Sequence, residues 1–241
     1  MVKLNLAIKQ EILIRITNFK LKHKNKYKFI LEGGASLKNV LYNIMQNVWE
    51  REKKPKIWRN TNIVQLYKGK GSVNELSNQR NIHTKSDTRK LFGDIVVTAA
   101  KDKIINGMTK FQIGTKPGHR AQEHIFCIKS VISLYLQQNC GLLLNLWDVQ
   151  KFFDRENLRD CLSELYKCNI KGKLYRLIYE LNCDTIIKVQ TPVGYTEERE
   201  TGETVGQGTN EGALISAANI DGGVKDFSMI VNPKYSIWMS T

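Results

Sequence analysis

Apolar residues recur at helical spacing through most of this chain. Residues 37–48 are apolar at such intervals after Ser36, and Pro55 follows them, which predicts a capped amphipathic helix. The same period predicts four further helices, at 87–105, 122–136, 156–168 and 172–182. We expect these helices to pack into a core, because the apolar stripe of a helix is normally buried.

Shorter stretches change to the pattern of strands. NIVQLYKGKG, residues 62–71, predicts a strand that runs into a glycine-rich turn, and a second short strand follows around Arg80. TIIKVQTP at 185–192 and YTEERETGE at 195–203 predict an antiparallel pair with an acidic tip. Helices and hairpins that occur in runs, without strict alternation, predict the α+β class.

A carboxylate and an aromatic residue follow the apolar run LLLNLW at 142–147. Asp148 ends the run, and Phe153 and Asp154 come shortly after it. A buried strand that ends in an Asp, with an aromatic just beyond, is typical of the metal-binding strand in a polymerase palm. The alternative is that Asp148 caps the next helix, because Asp favours that position.

Another informative stretch is TVGQGTNEGALISAANID, residues 204–221. Gly206 and Gly208 allow the backbone to approach a ligand closely, and Gln207 can hydrogen-bond a base or sugar edge. Small residues at helical spacing follow this turn. Three blocks precede it in the chain: YKGKG at 67–71, LSNQRNI at 76–82 and FQIGTKPGHRAQEHIF at 111–126.

In this order and spacing, the blocks resemble the reverse transcriptase domain of non-long-terminal-repeat retrotransposons. The resemblance extends over about residues 55–221. It implies right-hand polymerase-like fingers and a partial palm, built from an antiparallel sheet with packed helices and no thumb. The expected regions are a basic helical segment at 1–54, fingers with supporting helices at 55–140, and a partial palm at 141–241.

The resemblance also implies roles for residues of the palm. Asp148 would be the first catalytic aspartate and a Mg²⁺ ligand, and Phe153 would be the aromatic gate that excludes a 2′-hydroxyl. Gln207 and Gly208 would line the nucleotide pocket. The implied partners are an RNA or DNA template-primer and a deoxynucleoside triphosphate.

In the fingers, Lys68 and Arg80 would hold the triphosphate. Asn81 stands where the family usually has Pro or Gly. This departure bears on the expected backbone conformation next to Arg80 more than on the charge of Arg80. Further nucleic-acid contacts are expected from three basic residues, Lys70, His119 and Arg120. The alternative for these loop residues is an ordinary exposed polar turn.

One departure from the family concerns the second half of the metal site. The family places two adjacent aspartates on a later hairpin, whereas no Asp-Asp pair occurs in these residues. Two-metal phosphoryl transfer needs carboxylates on both sides of ions about 4 Å apart. The remaining candidates are Asp154, Asp221 and Asp226, of which Asp154 is expected to cap the following helix. We therefore expect a domain truncated before the catalytic hairpin and inactive alone.

Charge agrees with a polyanionic partner. The formal net charge is +14, and residues 1–120 hold 25 Lys and Arg against 8 acids, whereas residues 121–241 hold 12 against 15. The phosphate contacts are therefore expected on the fingers side. Two alternatives to a polymerase stay open: a non-catalytic nucleic-acid binder, and an element-derived open reading frame without a selected role.

Other sequence features favour an intracellular protein of the cytoplasm or nucleus. The chain has no run of about 18 apolar residues, so no membrane span is predicted. The N-terminal apolar run is interrupted by charges and is a poor signal peptide. Five cysteines without a Cys-x-x-Cys pair indicate reduced thiols.

Overall fold

The computed structural model describes residues 34–110, 112–144, 152–203, 205–206 and 209–230. The helices in this part of the chain are α1 (Gly34–Arg51), α2 (Asp87–Gly107), α3 (Ala121–Gln137), α4 (Phe152–Arg155), α5 (Leu158–Lys167), α6 (Lys173–Asn182) and α7 (Asn210–Ile230). The strands are β1 (Asn60–Tyr67), β2 (Gln79–Lys85), β3 (Cys183–Thr191), β4 (Gly194–Tyr195) and β5 (Arg199–Glu203).

An open sheet joins the two predicted hairpins. β1 pairs antiparallel with β2 on one side and parallel with β3 on the other. β3 in turn pairs antiparallel with β4 and β5. The antiparallel pairs predicted from residues 62–71 and 185–203 are confirmed, and the chain has a mixed α+β fold with a mostly antiparallel sheet.

Five helices and the segment before β1 enclose one apolar core. Its fully buried side chains include Met45 of α1, Phe92 of α2 and Leu165 of α5. Trp58 packs its ring 5.5 Å from that of Phe92 and donates from Nε1 to the Thr88 hydroxyl at 2.9 Å. Because these residues come from distant parts of the chain, the core fixes β1 and α2 relative to each other.

Helix α7 closes this core against α2 and α5. Its small residues, among them Ala217 and Ala218, are buried and allow close packing of the helices. Ser216 donates to the Glu156 carboxylate at 2.5 Å, and Asn219 donates to it at 3.2 Å. Burial raises the pKa of Glu156, although these hydrogen bonds oppose the shift.

Helix α3 departs from expectation in its packing. The helix predicted at 122–136 is present, but its expected burial is wrong. Within the described residues none of its side chains is buried, and Phe126 and Leu136 are 72% and 73% exposed. Periodicity identifies an apolar face but not the element that covers it. No helix in the described part of the chain is long and apolar enough to cross a membrane.

Candidate functional site

The β1–β2 hairpin is a regular two-stranded ribbon. Seven residue pairs join the strands, beginning with Thr61 opposite Lys85. Asn81, which stands where the reverse transcriptase pattern that the chain resembles usually has Pro or Gly, pairs with Gln65 inside this register. The Asn therefore leaves the strand regular, and the turn lies at the far end of the ribbon.

The turn at 68–78 is held by its own hydrogen bonds. The Tyr67 hydroxyl donates to the Gly71 carbonyl at 2.6 Å, and Asn78 Nδ2 donates to the Ser72 carbonyl at 2.9 Å. Gly71 has a φ of +75°, and a Cβ there would lie 2.4 Å from Asn78 Nδ2. The conformation and the lack of space both require glycine at this position.

Three of the predicted binding cations lie at this end of the hairpin. Lys68, Lys70 and Arg80 are all exposed. Lys68 Nζ also donates to the Ser77 carbonyl at 2.8 Å, so its side chain braces the turn. Tyr67, which was not predicted as part of a site, is 43% exposed at the same end; it pairs with Gln79, so its side chain and that of Arg80 are on opposite faces of the ribbon. Cations next to an exposed aromatic ring are typical of surfaces that bind single-stranded nucleic acid.

Charged side chains at the opposite end of the hairpin are buried. Lys85, the last residue of β2, is 4% exposed, and Arg89 in the first turn of α2 is fully buried. Arg89 forms a buried ion pair with Glu211 in the first turn of α7. It also donates from Nη2 to the Leu181 carbonyl at 2.9 Å. One guanidinium therefore ties α2 to both α6 and α7.

The electrostatics of this cluster follow from burial. Burial, together with the like charge of the Arg89 guanidinium, lowers the pKa of Lys85 to about 7. Burial also opposes the ionisation of Glu211, but Arg89 and Lys85 outweigh it and hold the pKa of Glu211 below its ordinary value. At neutral pH Glu211 is thus the anion of the cluster.

The segment before α7 lies against the base of the hairpin. A Cβ on Gly206 would lie 3.4 Å from Lys85 Cε, so the glycine backbone is next to that side chain. The Thr209 hydroxyl donates to the Gly206 carbonyl at 3.2 Å and accepts from Gly212 N at 3.1 Å. The Thr hydroxyl satisfies a backbone donor at the start of α7 and links this helix start to the Gly206 carbonyl.

Most of the predicted palm residues lie outside the described residues. This is so for Asp148, Gln207 and Gly208, and the expected closeness of Asp148 and Gln207 stays a prediction. Phe153 lies in the one-turn helix α4 and is half-buried. Its ring meets that of Phe152 nearly edge-on, with centroids 5.6 Å apart.

His119 and Arg120 lie just before helix α3. Both side chains are exposed, and His119 Nδ1 lies 2.7 Å from the Glu123 carboxylate. Arg120 N donates to the same carboxylate at 2.9 Å. The hydrogen bond from His119 is the main cause of a lowered pKa for Glu123. These contacts order the start of α3, and a template contact by His119 or Arg120 stays a prediction.

Asp221, considered above as a further metal ligand, is buried inside the fold. Its carboxylate accepts from Thr109 N at 3.0 Å and from the Thr109 hydroxyl at 2.5 Å. It therefore fastens the residues after α2 to the middle of α7. The described residues contain no group of three or more His, Cys, Asp or Glu that could hold a metal ion.

The cap expected from Asp154 is wrong. Asp154 belongs to α4, and the next helix, α5, is capped by Asn157, whose side chain accepts from Arg159 N at 2.9 Å. Because Asp154 is itself part of the short helix α4, the cap of α5 is the residue three positions later, Asn157.

Arg89 and Glu211 were missed from the sequence. The available signal was an Arg at an apolar helical position, because Arg89, Phe92 and Val96 share the buried face of α2. An Arg in such a position needs a buried anionic partner. Nothing in the local pattern identifies that partner as Glu211, 122 positions away.

Comparison with known proteins does not assign the chain to a family: no family matches its sequence, and no curated protein does. The functional argument therefore depends on the residues, their geometry and the order of the sequence blocks.

Proposed function

We propose that this chain is the fingers and partial palm of a reverse transcriptase of the non-long-terminal-repeat type. In this proposal it binds nucleic-acid phosphates through the turn of the β1–β2 hairpin. The observation that carries the proposal is the exposed group of Lys68, Lys70 and Arg80 at one end of a two-stranded ribbon. The polymerase class is supported by the sequence blocks, which occur in family order within this hairpin and after it.

The chemistry of the turn suits a single strand or a triphosphate. Lys and Arg neutralise phosphates and release condensed counterions, which gives affinity without sequence specificity. The exposed ring of Tyr67 and the 69% exposed side chain of Leu76 offer apolar surface on which bases stack. A single strand that wraps around this end of the ribbon would place its phosphates against the cations and its bases against the apolar side chains.

The nucleotide pocket would lie at the start of α7. Gly206 allows close backbone approach, and the amide groups of a helix start favour anionic ligands. Gln207 and Gly208 would contact the base and sugar there. The cap by Thr209 supports this placement, because its hydroxyl joins the start of α7 to the Gly206 carbonyl.

Magnesium would be held by Asp148, and when bound it would stabilise charge on the transferring phosphoryl group. The described carboxylates do not complete this site, since Asp221 is engaged by Thr109. We therefore derive no phosphoryl-transfer step from the described residues. The expected behaviour of residues 1–241 alone is binding without primer extension.

Primer extension on an RNA template tests the polymerase class. Residues 1–241 alone should give no product with Mg²⁺ or Mn²⁺. A chimaera that adds a hairpin with paired aspartates and a thumb should gain metal-dependent extension, and Asp148→Asn should abolish it. Asp102→Asn, a change at an exposed acid of α2, is the matched control and should keep the activity. Extension that survives Asp148→Asn would contradict the role of that residue.

A second candidate is a non-catalytic nucleic-acid-binding protein. It is favoured by the structural engagement of Asp221, which leaves that carboxylate unable to serve as a metal ligand. This candidate predicts tight RNA binding by the hairpin together with a chimaera that stays inactive. The two measurements on the same proteins therefore separate the two candidates.

A further inference from the structure

Four buried side-chain donors at the base of the hairpin make no hydrogen bond within the described structure. They are Thr61 Oγ1, Lys85 Nζ, Ser86 Oγ and Arg89 Nε. Buried polar atoms in folded proteins are nearly always satisfied by protein, water or an ion. Four donors in neighbouring positions therefore indicate a shared acceptor outside the described residues.

The four residues are neighbours in the fold. Thr61 and Lys85 are directly opposite each other in the β1–β2 register, and both are buried, so they share one face of the ribbon. Ser86 follows Lys85 and stands at the start of α2, where its side chain makes no capping bond. Arg89 is one turn further along α2. Ser86 is only half-buried, so the group is closest to solvent at this residue.

The acceptor should be an anion because the cluster has an excess of positive charge. Lys54 and Arg89 both act on the Lys85 ammonium as like charges, and Glu211 is the one carboxylate that acts on it. Glu211 is already paired with Arg89, so one carboxylate serves two buried cations, and Lys85 makes no ion pair of its own within the described residues. The start of α2 adds a partial positive charge, which Asp87 in its first turn offsets in part.

We propose that Thr61, Lys85 and Ser86 form a binding site for a small oxyanion of the phosphate class. The oxyanion accepts hydrogen bonds from the two hydroxyls and the ammonium and neutralises the unpaired cation. The site is separate from the hairpin turn, since Arg80 precedes Lys85 by five residues on β2, or about 17 Å. It therefore stands whether or not the turn binds nucleic acid.

Two sources can supply this oxyanion: free orthophosphate, or a phosphate group of a nucleotide bound near Gly206. Thermal unfolding of the whole chain, titrated with orthophosphate or with a deoxynucleoside triphosphate at constant ionic strength, tests both. The wild type should show a saturable rise in Tm of about 5 °C. A rise with orthophosphate identifies the free anion, and a rise with the triphosphate alone identifies the nucleotide.

Variants locate the effect. Lys85→Met should abolish the phosphate-dependent rise, and Ser86→Ala should reduce it. Lys56→Met, which removes an exposed lysine, should leave the phosphate-dependent rise in Tm unchanged. Because phosphate stabilises proteins in general, the rise that remains in Lys85→Met measures this general effect. Phosphorus NMR gives a second readout: the orthophosphate line should broaden with wild type and not with Lys85→Met.

The proposal is overturned if neither compound raises Tm beyond the rise in Lys85→Met, since ordered water would then satisfy the donors. It is also overturned if Lys68→Ala, Lys70→Ala and Arg80→Ala together remove the effect, because the anion would then bind at the turn. RNA binding is measured separately, so failure here is distinguishable from failure of the nucleic-acid proposal.

Discussion

The two ends of the β1–β2 hairpin carry similar charge in opposite surroundings. At the turn, Lys68, Lys70 and Arg80 are exposed, whereas Lys85 and Arg89 at the base are buried. An exposed cation is solvated by water and stays available to a ligand. A buried cation requires a fixed partner, because burial of an unpaired charge is costly. Net charge alone therefore does not separate binding cations from structural ones.

The largest expected difference between the two ends concerns the partner of Arg89. Glu211→Ala leaves Arg89 and Lys85 buried without a carboxylate and should lower the free energy of unfolding by about 3–5 kcal/mol. Urea denaturation measures the loss. Glu211→Gln keeps a hydrogen-bond acceptor and should recover part of it.

The matched control is Glu200→Ala. Glu200 pairs with Arg59 at 3.1 Å, but its side chain is 76% exposed. Water and salt screen such a pair, so the expected loss is under about 1 kcal/mol. Equal losses for Glu200→Ala and Glu211→Ala would show that burial of the charges at the hairpin base does not set their energetics.

Lys85 makes stability depend on pH. Its pKa is about 7 in the folded state and is lowered from an ordinary value of 10.5, so between these values the unfolded chain binds the extra proton. The free energy of unfolding should therefore rise with pH through this window, by on the order of 5 kcal/mol. Below pH 7 the lysine is charged in both states, and its contribution no longer varies.

Lys85→Met should remove this dependence and stabilise the fold at pH 7 in chloride buffer. Urea denaturation of the wild type and the variant between pH 6 and pH 10 gives the free energy of unfolding of each protein against pH. The difference between the two curves is the contribution of Lys85, because the other titrating groups are the same in both proteins. Parallel curves would mean that Lys85 has a partner that holds its charge in the folded state.

Tight packing beside the Arg89–Glu211 ion pair should give a smaller loss of stability. A Cβ on Gly93 would lie 2.8 Å from Glu211 Oε2 and 3.1 Å from Arg89 Nη1. Gly93→Ala should therefore lower the free energy of unfolding by about 1–3 kcal/mol. Gly223→Ala in α7, where nothing lies within 4 Å, should instead raise it by up to about 1 kcal/mol. Thermal unfolding of the two variants distinguishes a tight site from a general effect of helical glycine.

Local pattern predicted the parts of this fold that depend on near neighbours. The hairpin at 60–85 and the helices α2, α5 and α6 follow from periodicity and from the position of glycine. The exposure of α3 was not predictable in this way, because an apolar face does not show which element, if any, covers it. Its apolar residues, such as Phe126, are exposed within the described structure.

The same distinction applies to the candidate site. Lys68 and Arg80 were assigned from the resemblance of short sequence blocks, and Lys70 belongs to the same block as Lys68; all three are exposed at one end of the hairpin, and their role stays a prediction. The contacts of Arg89 with Glu211 and of Thr109 with Asp221 join residues more than 100 positions apart. Only the folded core decides which buried charge meets which partner.

Replacing Lys68, Lys70 and Arg80 together with Ala should lower the free energy of unfolding by no more than about 1 kcal/mol, because the charges are exposed and only the Lys68 hydrogen bond to the Ser77 carbonyl is lost. The matched control replaces three other exposed lysines, Lys103, Lys129 and Lys171, and removes the same charge. Any difference between the two triple variants in nucleic-acid binding then reports position and not net charge.

The salt dependence of RNA binding tests the central claim most directly. Affinity of the whole chain for a single-stranded RNA, measured by fluorescence anisotropy over a range of salt, should fall with a slope of about −0.7 per phosphate contact. The turn variant should flatten this slope by about two units, and the control variant should not. A slope that is unchanged in the turn variant, or flattened equally in both, would contradict phosphate binding by the hairpin turn.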